Sequence, residues 1–137
     1  MKKLLTSLMA VMLVLLAVSP SVFAEVPPNW YWLHSDDILN VYVDTNSMST
    51  YKDPSTNITY KKVTNILTSC VDPITGQLVN EFKTENGINY HRMISGTKYD
   101  ANQKLIEEFS FSKHPDGQWR KDSANDEIIT KTLALFK

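Results

Sequence analysis

The chain of 137 residues contains one cysteine, Cys70, four glycines and three histidines. A single cysteine rules out an intrachain disulfide, so the fold must stand on packing alone. None of the glycines is spaced to cradle a phosphate, which leaves nucleotide binding without support. His34, His91 and His114 do not fall at metal-ligand spacing on one element. There is no Gly-x-Ser-x-Gly elbow, and Cys70 has no histidine near it in sequence. A basic excess is also missing. Lys and Arg number 14 against 15 Asp and Glu, for a net charge of −1. Phosphate backbones need a basic face, so nucleic acid is not the expected partner.

Long apolar runs are scarce as well. The one candidate, Leu4 to Val18, contains Thr6 and Ser7 and falls short of the roughly 20 apolar residues of a spanning helix. It follows Lys2-Lys3 and precedes Pro20 and the small-residue stretch ending Val22-Phe23-Ala24. That is the layout of a secretory signal peptide. Residues 1–24 are therefore read as a leader cleaved after Ala24, and residues 25–137 as a single domain. The expected destination, through the Sec pathway, is the periplasm, the cell surface or the medium, with no membrane attachment after cleavage. Setting Lys2 and Lys3 aside makes the remainder more acidic still.

The remaining apolar residues are paced mostly as strands. Trp30 to His34 reads as a first strand and Ile38 to Asp44 as a second, with Leu39, Val41 and Val43 on one face. Thr45 to Thr59 reads as a long polar loop. Tyr60 to Cys70 is a third strand, with Cys70 expected as a buried small hydrophobe. Gln77 to Thr84 fits either a short strand or a loop. Glu85-Asn86-Gly87 is a turn. Ile88 to Thr97 and Lys104 to Lys113 are spaced as a hairpin. At the end, Ile128, Ile129, Thr132, Leu133 and Phe136 form a stripe at helical spacing, with Ser123 as the expected cap. The expected fold is α+β, an antiparallel sheet of five or six strands with a C-terminal helix on one face.

Few residues suggest chemistry. Glu107 and Glu108 are sequence neighbours on a strand and face opposite sides, so they cannot flank one bond. His34 with Asp36 and Asp37, and His114 before Pro115-Asp116-Gly117, read as solvated turns. No cofactor or metal is expected. The aromatics, Trp30 to Trp119, are expected mostly in the core, with a few left on a sheet face that one helix cannot cover.

One order of residues extends across this domain. Trp30 precedes Tyr42-Val43-Asp44, with Ser47 three residues after Asp44. Tyr99-Asp100 follows, then Trp119, Asp122-Ser123 and Glu127-Ile128. This order resembles the surface-adhesin protein E-like family of exported bacterial proteins. Members carry an early Trp, a Tyr-x-Asp-x-x-Ser element and a Trp-then-Pro-x-Ser-x-x-Glu element leading into a C-terminal helix. The chain lacks the cysteine pair and the proline often found near that helix. The resemblance implies a small antiparallel sheet bearing a helix, and a place at the bacterial surface. It also implies adhesion, since the best-known member binds host matrix and complement-related proteins. Trp30, Tyr42, Asp44, Ser47, Tyr99, Trp119, Ser123 and Glu127 carry the motif and read as structural. Asp44 and Ser47 are expected to close a turn and Ser123 to cap the helix.

The leading expectation is a non-enzymatic, exported, adhesin-like domain that binds another protein, a host or envelope component, through a sheet face or edge. The alternative is a periplasmic enzyme inhibitor or small-ligand carrier, which a deep apolar pocket would favour. A hydrolase assembled only in space would require a buried histidine within reach of Cys70 or a carboxylate.

Overall fold

The computed structural model describes residues 25–123 and 125–137. Residues 1–24, expected as a leader, lie outside them. Six strands form an antiparallel meander in sequence order. They are β1 (Trp30–Ser35), β2 (Leu39–Lys52), β3 (Thr59–Ser69), β4 (Thr75–Glu85), β5 (Ile88–Tyr99) and β6 (Leu105–Ser110). After a single 3-10 turn at Pro115–Gly117, the two-residue strand β7 (Arg120–Lys121) returns to β5 beside Tyr90 and His91. β6 takes the other end of the same β5 edge, Ser95 to Tyr99. The chain ends in helix α1 (Glu127–Ala134).

The architecture is mostly β, with seven strands holding 55% of the described residues and one short helix. This corrects the expected α+β fold with five or six strands. Two features account for the difference. The helix closes after eight residues. The segment expected as a loop, Thr45 to Thr59, is instead largely strand, because β2 runs on to Lys52. Its pairing with β3 slips between Asp44 and Ser49 and then resumes through Tyr51 and Tyr60. The slip is held by short polar side chains. Asp44 Oδ1 accepts from Asn46 N at 3.0 Å. Ser47 Oγ donates to Asp44 O at 2.6 Å and accepts from Thr64 N at 2.7 Å. Polar composition read as loop is here the means of bulging a strand without losing its partners.

The turns follow their residues. Asn86 and Gly87 have φ of 52° and 77°, the left-handed pair that a two-residue hairpin needs. Asp36 Oδ1 accepts from Ile38 N and Leu39 N, both at 2.8 Å. Those two N–H groups hold its carboxyl below the usual carboxylate range.

Directly paired residues of an antiparallel sheet share a face. Leu39, Val41, Val43, Val63 and Phe82 thus lie on one side, and α1 packs there with Ile128, Ile129 and Leu133. Leu33 joins them beside a register shift between Trp32 and His34. The helix is tied to the edge strand by Lys131 Nζ, which donates to Leu33 O at 3.0 Å. Its N-cap is Asp126, whose side chain accepts from Ile129 N at 3.0 Å. Ser123, the expected cap, instead accepts from Asn125 N one turn earlier in the chain.

Two further expectations are corrected. Cys70 is exposed, because β3 ends at Ser69 and the thiol lies in the following loop, 3.4 Å from Asn40 Nδ2. Among the aromatics of the described residues only Phe82 belongs to the buried core, while Tyr31, Trp32 and Tyr51 are about half exposed. One short helix leaves most of both sheet faces without a covering layer, so aromatics cover the sheet themselves.

Candidate functional site

An eight-residue helix is about 12 Å long at 1.5 Å per residue. It covers only part of the sheet face beneath it. Between α1 and the sheet lies a cleft of about 300 Å³, walled by Val41, Leu78, Met93, Ile128 and Ile129. Beyond the helix the same face continues as an open groove of about 270 Å³ with Ile38, Ile74, Gly76 and Phe109 at its sides. Leu39, Leu67 and Leu78 line both, so cleft and groove adjoin across these leucines. The groove crosses strands whose apolar side chains alternate inward. Its far wall is the Phe109 ring, laid over Gly96.

The cleft has a polar floor. Asn65 and Asn80 are buried, and Asn80 Nδ2 donates to Asn65 Oδ1 at 2.8 Å. Asn65 Nδ2 donates onward to Tyr42 O at 3.4 Å. His91 also lines the cleft. Its Nδ1 is hydrogen-bonded to Asp122 Oδ1, and both side chains are largely buried. The backbone places Asp122 there, since Asp122 N donates to Asn89 O at 2.9 Å. Asp122 Oδ2 is buried without a hydrogen-bond partner. Arg120 stands at the cleft with Nη1 2.8 Å from Asp116 Oδ1.

The His91–Asp122 pair meets the condition set for a spatially assembled hydrolase, a largely buried histidine within reach of a carboxylate. Cys70 lies in the loop after β3 and does not line the cleft. The one hydroxyl that lines it, Thr132 Oγ1, donates to Ile128 O at 2.7 Å along its own helix. Asp122 thus orients the His91 imidazole at the cleft. Among the described residues, no group of three or more His, Cys, Asp or Glu comes together to hold a metal ion.

The eight motif residues lie elsewhere. Trp30, Tyr42, Asp44 and Ser47 gather at one end of β1 and β2. The Trp30 and Tyr42 rings are 5.8 Å apart, and Asn29 Nδ2 donates to Asp44 Oδ1 at 2.7 Å. Trp119 lies against Tyr60, under the Arg92 guanidinium at 4.5 Å and Lys83 at 5.0 Å. Its ring is thus occupied by cations of its own chain. Tyr99 closes β5 opposite Thr75 and Leu105. Ser123 precedes the helix, and Glu127 pairs with Lys131 in its first turn. None of the eight lines the cleft or groove.

Of the residues that line it, His91 and the helix stripe stand out in the sequence, whereas Asn65 and Asn80 do not. The signal for them was present. Asn65 stands between Val63 and Leu67, and Asn80 between Leu78 and Phe82, each the polar member of an apolar alternation. Two such residues on neighbouring strands are opposed by partners on the buried face.

Among the described residues, no helix is long and apolar enough to cross a membrane. Comparison with protein-family models, with curated proteins and with solved structures finds no match.

Proposed function

We propose that the chain is an exported, non-enzymatic binding domain that takes a small, largely apolar ligand in the cleft between α1 and the sheet. The observation that carries this reading is the apolar cleft with polar lining from Asn65, Asn80 and His91, adjoining the apolar groove beyond the helix. Ligand sites are typically concave and apolar with a few placed polar groups, and begin at about 300 Å³. A buried asparagine pair adds little stability over apolar residues of the same shape, so its place in the cleft fits recognition better than folding. Export rests on the leader read in residues 1–24.

A second reading is adhesin-like contact with a host or envelope protein. It is favoured by β6, an edge strand whose residues are all exposed, with Leu105, Ile106 and Phe109 among them. Such an edge can accept an added strand.

Native mass spectrometry of the protein purified from the cells that export it tests the first reading. A bound small molecule, lost in Gly76→Val, supports it. A ligand-free protein that instead captures an envelope or matrix protein through β6 replaces it with the second.

A further inference from the structure

We infer that the ligand is a straight-chain amphiphile with a carboxylate head, its tail along the groove and its head at His91 and Arg120. The inference rests on the small-ligand reading and names the ligand's chemistry. Its first support is the length of the groove. The row holding Phe82 and His91 and the row holding Gly76 are six residues apart on β4. At about 3.3 Å per residue they are roughly 20 Å apart. The floor between them is Leu67 and Leu78 with the buried Asn65–Asn80 pair, and carries no charged side chain until Lys98 at the far rim. A long, mostly apolar track suits an unbranched hydrocarbon chain better than a compact ring system.

The second support is the placement of donors. They cluster at the helix end of the track. Asp122 holds His91 by Nδ1, and Nε2 has no protein partner among the described residues. Arg120 uses Nη1 for Asp116 and keeps its remaining N–H groups. The neighbouring acids Asp116, Asp122 and Asp126 each hold a protein donor, while Asp122 Oδ2 stays without one. Asp126 accepts from Ile129 N as the helix cap, and Asp122 accepts from His91. An imidazole and a guanidinium side by side at the mouth of an apolar track fit a carboxylate head.

The structure also supplies a way to block the tail alone. A Cβ at Gly76 would meet Leu67 Cβ at 3.8 Å and the Leu67 and Thr97 carbonyl oxygens at 3.9 Å, ordinary contacts. Gly76→Val therefore fits the strand and fills the groove.

The test is displacement of anilinonaphthalene sulfonate from the full domain by decanoate, 1-decanol, decylammonium and butanoate. We expect decanoate to displace the dye and butanoate to fail. Gly76→Val weakens decanoate at least tenfold. Arg120→Gln weakens decanoate about fivefold and leaves 1-decanol unchanged. Decanol or decylammonium binding as tightly as decanoate overturns the carboxylate head. So does an unaltered decanoate affinity in Arg120→Gln. In both cases dye bound in the groove leaves the small-ligand reading standing. Absence of binding by dye and decanoate alike overturns both.

Discussion

The ring of Phe109 lies over Gly96 across the β5–β6 pair, in space that a Cβ on Gly96 would invade. The same kind of exclusion occurs at Gly117, where a Cβ would strike the backbone carbonyl of Phe111. The two obstacles differ in what can move. A half-exposed phenylalanine ring can swing out, whereas a backbone carbonyl inside a 3-10 turn cannot. We expect Gly96→Ala to cost about 1 kcal/mol and Gly117→Ala about 3 kcal/mol. Urea unfolding of the two variants checks the order; equal costs would show that the ring is as fixed as the backbone.

On the opposite face, Glu81 is buried and triply bonded. Arg92 donates to Oε2 from Nε at 3.0 Å and from Nη2 at 2.8 Å, and Tyr51 donates to Oε1 at 2.7 Å. The bond to Glu81, with some burial, pushes the Tyr51 hydroxyl up to about 12. A raised tyrosine favours the protonated form in the folded state. Its contribution is complete below about pH 10, the unfolded value, and is lost as pH rises towards 12. Ultraviolet titration should show one tyrosine ionising last, and Glu81→Gln should return it towards 10. Removing the carboxylate also leaves Arg92 without its partner, so Glu81→Gln should cost about 2 kcal/mol at neutral pH.

The helix start separates two candidate caps. Asp126 makes the capping bond and Ser123 does not. Asp126→Ala should cost about 1 kcal/mol, and Ser123→Ala less than about 0.5 kcal/mol. Thermal unfolding of both checks this, and the reverse order would place the helix start three residues earlier.

Much of the fold was legible in the residues. Alternation marked β1, β3, β5 and β6, and Asn86-Gly87 marked the tightest hairpin. The stripe from Ile128 to Phe136 marked the helix and its buried side. What was not legible came from tertiary pairing. Residues 45–52 carry no apolar alternation, yet they extend β2, because β3 offers backbone partners and Ser47 bridges the slip. The helix cap was misplaced because Ser123 and Asp126 both satisfy the composition of a helix start. The candidate site was the least legible part. It arises from how little of the sheet an eight-residue helix covers, and its donors His91 and Arg120 meet only through the pairing of β5 with β7.

The asparagine pair offers a test of stability against recognition. Asn80→Leu alone leaves Asn65 Oδ1 buried without its donor and should cost about 2 kcal/mol. The double variant Asn65→Leu, Asn80→Leu removes both partners and should recover most of that loss. If the pair serves recognition, the double variant folds normally and yet binds ligand differently. Urea midpoints together with dye affinity read the two effects apart.

Amide chemical-shift mapping of the labelled protein during titration with anilinonaphthalene sulfonate locates the binding surface itself. We expect saturable shifts confined to Gly76, Leu78, Asn80, Met93 and Ile129, along the track from groove to cleft. Shifts centred on Tyr51, Tyr60 and Trp119, or along β6 alone, would contradict a ligand site between α1 and the sheet.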